Sequence, residues 1–193
     1  MILFIDTISK PCFIGLFDDN KNLIDSKIYD ITGNESMTLN PNIDELLKKN
    51  NISYFDIENI VLINGPGSFT GIRTAVLVAN TINFIIKKNM TGIDYFSMYE
   101  IAFPDNYPII KDSSRRDLFI KKDNLSKIEI IPNEDLIAYL KENKISKIYG
   151  DTNINLDNTK KITNIDYVKV LNKIKLDNKT KLEAFYMKKP NIS

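Results

Sequence analysis

The strongest constraint on the fold lies between residues 60 and 88, where a short apolar run, a glycine-rich turn and a long apolar segment follow one another. The run Ile60–Ile63 is wholly apolar, which is typical of a parallel strand buried on both faces. Gly65-Pro66-Gly67 then permits a tight turn, and the sequence beyond it predicts a helix over residues 69–88. A strand that turns sharply into a helix is a building unit of layered α/β folds.

The predicted helix over 69–88 is apolar on two faces. Between Ile72 and Ile86 its only charged residue is Arg73. Two stripes at helical spacing are present: Ile72, Ala75, Val76, Ala79 and Ile86 on one face, and Leu77, Thr81, Phe84 and Ile85 on another. A surface helix needs only one such stripe. Either the helix is buried on both sides within the fold, or one stripe meets another protein chain, and the sequence leaves both alternatives open.

The residues before this segment predict an antiparallel meander and then a helix. Strands are predicted over residues 2–6, 12–17 and 23–31, and Asp18-Asp19-Asn20 is a strong turn signal between the last two. A helix is predicted over residues 40–49, with Asn40 as its N-cap and Pro41 in the first position. The apolar face of this helix consists of Ile43, Leu46 and Leu47.

The second half predicts a smaller α/β unit. Further strands are expected over 90–93, 107–110, 118–120, 127–131 and 145–149, and further helices over 96–103 and 132–143. The pattern fades after Gly150-Asp151. Residues 169–193 hold seven lysines and two acidic residues; a solvated lysine-rich end is favoured over a tail that contacts RNA phosphates.

Composition removes several kinds of catalytic site. The chain has no histidine and a single cysteine, Cys12. A Ser-His-Asp or Cys-His arrangement, a histidine metal site, a cysteine-rich zinc site and an internal disulfide are therefore excluded. A metal ion would need oxygen ligands, and catalysis would have to use carboxylates, hydroxyls, lysines or groups of the substrate.

Three polar segments are candidate ligand sites, and each has a simpler structural interpretation that is favoured. Asp6-Thr7 at the end of the first strand could hold magnesium or could form a capped turn. Ser113–Arg116 could clamp a phosphate or could be an exposed hairpin tip. Ser68 or Thr70 can cap the helix after the Gly-Pro-Gly turn. That helix start could bind an anion, but no Gly-Lys-Ser/Thr motif follows it.

Several segments resemble one known family. Gly65–Arg73 closely resembles the GPGSFTGLR signature of the TsaB (YeaZ) family. Met1–Thr7 is similar to that family's opening strand and turn, Tyr149–Asp151 to its "GdG" turn, and Phe185–Pro190 to its closing "vYlRxP". The chain departs from the family where Glu35-Ser36-Met37 stands in place of His-Ser-Glu before the first helix.

The resemblance implies an α/β, actin/Hsp70-like (ASKHA, ribonuclease-H-like) two-lobed fold with a reduced second lobe. We accordingly expect a first lobe over residues 1–103 that carries partner-binding helices, and a smaller lobe over 104–193 with a basic tail. The resemblance also implies a non-catalytic subunit that binds and supports TsaD in threonylcarbamoyl transfer to the adenosine next to the tRNA anticodon. The chain would need no cofactor of its own, since ATP and metal are expected on the TsaD partner.

The same resemblance implies that the helices over 40–49 and 69–88 form the contact with TsaD. A TsaE-like ATPase and, indirectly, tRNA would be further partners, and a homodimer would form through an exposed apolar face when TsaD is absent. We expect a cytoplasmic protein without membrane contact, because no apolar run reaches the roughly 20 residues of a membrane span. The expected interface residues are Ile43, Leu46, Leu47, Pro66, Phe69, Arg73, Leu77, Thr81 and Phe84.

An alternative from another functional class is an ATP-dependent small-molecule kinase or carbamoyltransferase of the same fold. Against it, the first turn lacks the glycine with which such enzymes wrap phosphate. Micromolar binding of ATP and magnesium by the isolated chain would favour this alternative.

Overall fold

The computed structural model describes residues 1–30 and 35–187. The chain forms two compact units. The first contains Met1–Tyr95 together with the segment from Tyr167 onward, and the second contains Phe96–Asp166.

The first unit is built on a five-stranded mixed sheet. Its strands are β1 (Ile2–Asp6), β2 (Cys12–Phe17), β3 (Leu23–Tyr29), β4 (Asn59–Ile63) and β5 (Asn89–Ile93). They lie in the order β3-β2-β1-β4-β5, with β1, β2 and β3 antiparallel and with β4 and β5 parallel to β1. The predicted meander and the predicted buried parallel strand are both confirmed. The predicted end of the third strand at Ile31 lies outside the described residues, as do the closing residues Lys188–Pro190.

Two helices belong to the first unit between β3 and β5. They are α1 (Glu35–Lys49) and α2 (Phe69–Ile86), and a short 3-10 helix (Tyr54–Asp56) lies between α1 and β4. Leu3 and Ile5 of β1 share one buried cluster with apolar side chains of both helices. From the alternate position of β1, the ring of Phe4 packs edge-on against Phe13 and Tyr167. The sheet therefore separates an aliphatic layer under the helices from a smaller aromatic layer.

Helix α1 begins earlier than predicted. It starts at Glu35, so the predicted N-cap Asn40 and the predicted first residue Pro41 both lie inside it. The reason is that Leu39 is fully buried and extends the apolar stripe of Ile43 upstream by one turn. Since Pro41 has no N–H group, the helix lacks one backbone hydrogen bond at that point, and the burial of Leu39 offsets the loss.

Helix α2 begins where predicted and ends at Ile86, before the predicted end at residue 88. The Ser68 hydroxyl caps it by accepting a hydrogen bond from the Gly71 N–H at 3.4 Å, and Lys87 ends it in a left-handed conformation with φ of 54°. Within the described residues α2 is the one helix long and apolar enough to cross a membrane by length and composition. The core helix of a sheet protein passes the same test, and α2 buries eight of its residues.

The second unit contains another five-stranded sheet. Its strands are β6 (Ile109–Asp112), β7 (Asp117–Lys121), β8 (Glu129–Pro132), β9 (Lys147–Asp151) and β10 (Lys160–Ile162), in the order β10-β9-β6-β7-β8. Helix α3 (Tyr95–Ala102) precedes this sheet, and helix α4 (Asn133–Glu142) packs on it through Leu136 and Leu140. Strand β10 was not predicted because its three residues are mostly exposed and leave no apolar pattern.

The tail packs with the first unit, which corrects the predicted division at residue 103. It begins with α5 (Tyr167–Lys173), and residues 177–186, called here the C-terminal strap, then pass along the edge strand β5 and helix α2. Leu182 is buried in the core of the first unit, and the Met90 N–H donates to the Lys179 carbonyl at 2.8 Å. The packing of the tail could not be predicted from the sequence, because Leu182 is a single apolar residue with charged neighbours.

Candidate partner-binding face of helix α2

Helix α2 divides its residues cleanly between an inward and an outward face. The residues buried against the rest of the first unit are Gly71, Ile72, Ala75, Val78, Ala79, Ile82, Asn83 and Ile86. On the opposite side Leu77 is 68%, Phe84 is 82% and Ile85 is 60% exposed. The first predicted stripe therefore packs inward, and the second one faces outward. Large apolar side chains this exposed on one helix make this face a candidate contact surface for another molecule.

The outward residues form one continuous band from the start to the end of the helix. We call this band the α2 strip; it contains Phe69, Arg73, Leu77, Thr81, Phe84 and Ile85. Successive members are mostly four residues apart, so they stack along one side of the helix. All of them are exposed, and Phe69 is 39% exposed.

An apolar groove of about 490 Å³ runs along one border of the α2 strip. Its lining combines strip residues such as Leu77 and Ile85 with Tyr54 and Phe55 of the 3-10 helix and with Asn40 of α1. Phe55 is 66% exposed although it belongs to a helical turn with a complete capping box. The groove can accept side chains from a partner that lies along α2.

The C-terminal strap forms the other border of the α2 strip, and asparagine side chains hold it there. Asn80 exchanges two hydrogen bonds with the backbone of Leu182, both at 2.9 Å, and Asn83 donates to the Thr180 carbonyl at 2.9 Å. Asn64 donates to the Glu183 carbonyl at 2.9 Å. The strap thus receives from side chains the hydrogen bonds that a neighbouring strand would otherwise provide.

Gly65 is required where the strap meets the turn before α2. Its φ is 137°, a conformation that other residues rarely adopt. A Cβ atom at this position would lie 2.1 Å from the carbonyl oxygen of Phe185. The first glycine of the Gly-Pro-Gly segment therefore has a packing role, as the favoured structural interpretation predicted.

A compact polar and aromatic cluster lies at the N-terminal end of the strip, where helix and strap meet. The guanidinium carbon of Arg73 lies 3.9 Å above the centre of the Phe69 ring. The Arg73 Nε donates to the Tyr186 hydroxyl at 3.2 Å, and the rings of Phe69 and Tyr186 lie 5.5 Å apart. Three side chains from two distant parts of the sequence thus fix one another on an exposed surface.

The structure brings five of the nine predicted interface residues to this surface. These are Phe69, Arg73, Leu77, Thr81 and Phe84. The other four are buried, namely Ile43, Leu46, Leu47 and Pro66. Their prediction as contact residues is corrected, because α1 has a single apolar stripe and uses it to cover the sheet. As buried residues, these four can stabilise the unit that carries a partner surface, but they cannot contact the partner directly.

Three residues of the site, Ile85, Phe55 and Tyr186, were not among the predicted interface residues, although Ile85 belongs to the second predicted stripe. Phe55 carries a weak signal, since it is one of two adjacent aromatic residues, Tyr54 and Phe55. Tyr186 carries none, because its contact with Arg73 joins residues 113 positions apart.

The candidate magnesium ligand Asp6 is enclosed. Its Oδ1 accepts hydrogen bonds from the N–H groups of Ile8 and Ser9, each at 2.9 Å, and its Oδ2 accepts one from the Tyr167 hydroxyl at 2.9 Å. Burial raises the pKa of Asp6 above its ordinary value, although these hydrogen bonds oppose the shift. The ring of Tyr167 stacks on the ring of Phe13 with their centroids 3.7 Å apart, and Asp6 is fully buried.

This arrangement does not fit a hard cation. Magnesium needs several oxygen ligands around it, whereas both oxygens of Asp6 already bind donors of the chain itself. Among the described residues, no three acidic or cysteine side chains come together as a metal site. The capped turn is the interpretation that the geometry supports.

The candidate phosphate clamp is a hairpin tip. The N–H groups of Ser113 and Ser114 both donate to the Asp117 carbonyl at 3.0 Å, and the Ser114 hydroxyl accepts from the Asp117 N–H at 3.1 Å. Arg115 and Arg116 are exposed at the end of this turn. The serines are thus committed to the turn itself.

Comparison with solved structures defines the class of fold. A structure of YeaZ from Pseudomonas aeruginosa matches 69% of this chain and 67% of its own length, with a TM-score of 0.57 and 17% identity. A second structure, described as an uncharacterised protein with similarity to peptidase YeaZ from Pseudomonas aeruginosa, matches with a TM-score of 0.58 over the same fractions of the two chains. The predicted α/β, actin/Hsp70-like fold is confirmed.

Sequence relatives narrow the class. The chain is 39% identical over 82 residues to the tRNA threonylcarbamoyladenosine biosynthesis protein TsaB of Buchnera aphidicola subsp. Baizongia pistaciae. It is 28% identical over 98 residues to the TsaB protein of Buchnera aphidicola subsp. Schizaphis graminum. These matches span 36% and 46% of the relatives' own lengths. The TsaD family, described as tRNA N6-adenosine threonylcarbamoyltransferase, matches residues 33–108. The resemblance to the TsaB (YeaZ) family is thus confirmed.

Proposed function

We propose that this chain is a non-catalytic partner subunit in tRNA threonylcarbamoyladenosine biosynthesis, and that it binds a TsaD-like protein through the α2 strip. The observation that carries the proposal is the outward exposure of Leu77, Phe84 and Ile85 on a helix whose other face already forms the core. Folding alone does not use these side chains. Contact with a second apolar surface would remove these side chains from water, and their burial would stabilise the complex.

The biological process in the proposal is inferred from the names of the relatives. Two TsaB proteins match part of the chain, and both are described as acting in the biosynthesis of this modified nucleoside. The match to the TsaD family runs over residues 33–108, which contain α1, β4, α2 and β5. A TsaD-like partner therefore carries a related helix pair. Two related helix pairs can pack face to face in the way helices of a bundle do.

The chemistry of the chain suits a supporting role. It has no histidine, and the carboxylate best placed for a catalytic or metal-binding role, Asp6, is enclosed by its own turn and by Tyr167. In the proposed complex, ATP, metal and the contact with the transferred group belong to the TsaD-like partner, and tRNA is reached through that partner. No observation favours the alternative of an ATP-dependent kinase or carbamoyltransferase.

The test is co-expression of the full chain with the TsaD-like protein of its organism, followed by size-exclusion chromatography and calorimetry. The wild-type chain is expected to co-elute with the partner. Leu77→Glu and Phe84→Glu are expected to abolish co-elution, because a charge would be buried without a partner in an apolar contact. Both variants should stay folded, since the two side chains are exposed.

The matched control is Leu125→Glu. Leu125 is 91% exposed and belongs to the second unit, whereas α2 belongs to the first. This variant should bind as the wild type does. Separate elution of the two wild-type proteins, or equal loss of binding in the Leu125→Glu control, would count against the proposal.

A further inference from the structure

The α2 strip contains one charged residue, and its side chain is already held in place. Arg73 is the only Lys, Arg, Asp or Glu between Phe69 and Ile86. Its guanidinium carbon lies over the Phe69 ring, and its Nε donates a hydrogen bond to the Tyr186 hydroxyl. A long side chain on an exposed surface normally loses considerable rotamer entropy when a partner fixes it. The contacts with Phe69 and Tyr186 already order the Arg73 side chain before a partner binds.

The hydrogen bond to Tyr186 leaves most of the guanidinium available. Arginine has five N–H donors in a planar fork, and Nε supplies one of them. Among residues 1–30 and 35–187, the ion pairs between side chains of opposite charge do not include Arg73. When an apolar partner covers the strip, these donors lose water, and an unpaired buried cation is costly. A carboxylate opposite Arg73 removes that penalty with paired, charge-assisted hydrogen bonds.

We propose that Arg73, oriented by Tyr186 of the C-terminal strap, is the polar anchor of the α2 strip and selects a partner helix that carries an Asp or Glu opposite it. The inference rests on the proposed function and adds to it the chemistry of the partner surface. That surface is apolar where it faces Leu77 and Phe84, and it carries one carboxylate at the end near Phe69.

Charge complementarity favours this occupant over a second copy of the chain packed helix to helix. Helix α2 contains no acidic residue, so two copies joined through their α2 helices would leave each Arg73 without a carboxylate from the facing helix. A different protein can supply that carboxylate. The residue would then distinguish the cognate partner from self-association, since an unpaired charge acts against the wrong complex.

Tyr186 is a positioning residue in this proposal, because the docked strap places its hydroxyl next to Arg73. Asn80 and Leu182 dock the strap on α2 one helical turn or more from Arg73. Tyr186 therefore reaches Arg73 only when the tail is in place. The prediction is that partner binding depends on a correctly docked tail even though the tail contributes a single hydroxyl to the anchor.

The experiment measures the dissociation constant of the full chain and the TsaD-like partner for four variants. Arg73→Gln should weaken binding roughly 30-fold or more, the range found when one partner of a buried charge pair is removed. Arg73→Lys should recover only part of this loss, because an ammonium lacks the planar fork. Tyr186→Phe keeps the ring and loses the acceptor, so a weakening of about fivefold is expected. The double variant Arg73→Gln/Tyr186→Phe should bind no worse than Arg73→Gln alone.

The control is Arg115→Gln, which removes an exposed arginine from the hairpin tip of the second unit and should leave binding unchanged. Replacement of the facing carboxylate on the partner by arginine, combined with Arg73→Glu, should restore binding. If the wild-type complex forms but Arg73→Gln binds as tightly as the wild type, the anchor is wrong and the proposed function stands. If the two effects of Arg73→Gln and Tyr186→Phe simply add, the positioning role of Tyr186 is wrong. If the wild-type proteins do not associate, the proposed function fails and the anchor fails with it.

Discussion

Helices α1 and α2 belong to the same unit and contribute to one buried cluster, yet they use their apolar residues differently. Helix α1 carries one buried stripe, which consists of Leu39, Ile43, Leu46 and Leu47. Helix α2 carries a comparable inward set and, in addition, an outward strip with four large apolar side chains. One stripe is enough to hold a helix on a sheet. Under the proposed function, the second stripe of α2, rather than its overall apolarity, distinguishes a helix that only folds from one that also binds.

The largest expected effect is a difference in the free energy of unfolding between matched variants of the two helices. Ile43→Ala removes a side chain of α1 that is fully buried, so we expect a loss of about 2–5 kcal/mol in the free energy of unfolding. Leu77→Ala on the α2 strip is the matched change, since it also shortens a branched aliphatic residue to alanine. It should alter the free energy of unfolding by less than about 0.5 kcal/mol. Urea denaturation followed by circular dichroism measures both.

The two variants should exchange their order when partner binding is measured instead. At a denaturant-free condition where both are folded, Leu77→Ala should bind the TsaD-like partner more weakly than Ile43→Ala does. Equal losses of stability in the two variants would remove the distinction between the helices.

The next effect concerns the polar residues of α2 that hold the C-terminal strap. Asn80→Ala leaves the N–H and the carbonyl of Leu182 without their partners, so the free energy of unfolding should fall by about 1–3 kcal/mol. Hydrogen exchange should speed up at the strap amides before it does in the sheet. The control is Asn40→Ala, an exposed asparagine of α1, which should change stability little. Unchanged exchange of the Leu182 amide would show that the side chain of Asn80 does not hold the strap.

The sequence predicts the elements whose residues form periodic patterns, and it misses contacts that depend on isolated residues. The meander, the buried strand β4 and the two stripes of α2 are recoverable because burial imposes a period of two or of about 3.6 on the chain. The start of α1 was placed too late because proline is more common in the first turn of a helix than inside it. Only the burial of Leu39 shows why the helix accepts Pro41 in its interior.

The candidate site divides in the same way. The exposed strip follows from the helical pattern, although the sequence could not say which of the two stripes faces outward. The strap could not be predicted, because its attachment depends on single residues such as Asn80 and Leu182 that are far apart in the chain. The assignment of Ile43, Leu46 and Leu47 to the partner surface was wrong for a physical reason: a single stripe on a helix beside a sheet is used by the sheet.

A smaller effect tests whether the groove beside α2 belongs to the same surface. Phe55 comes from the 3-10 helix and lines the groove together with Leu77. Phe55→Ala should reduce the binding free energy for the TsaD-like partner by about 1–2 kcal/mol, as for an aromatic residue near the centre of a contact. Leu125→Ala in the second unit should have no effect. Binding that is unaffected by Phe55→Ala would restrict the partner surface to α2 alone.

The smallest expected effect is the one that completes the contrast between the two helices. Phe84 is 82% exposed, so folding removes little of its apolar surface from water. Phe84→Ser should therefore change the free energy of unfolding by no more than about 0.5 kcal/mol, although it replaces a large aromatic side chain by a small polar one. The same change should reduce self-association of the free chain at high concentration, which sedimentation velocity can measure, because the exposed ring no longer drives contact between copies. A loss of stability well above this range would mean that Phe84 packs against its own chain, and the α2 strip would then be part of the fold and not a surface kept for a partner.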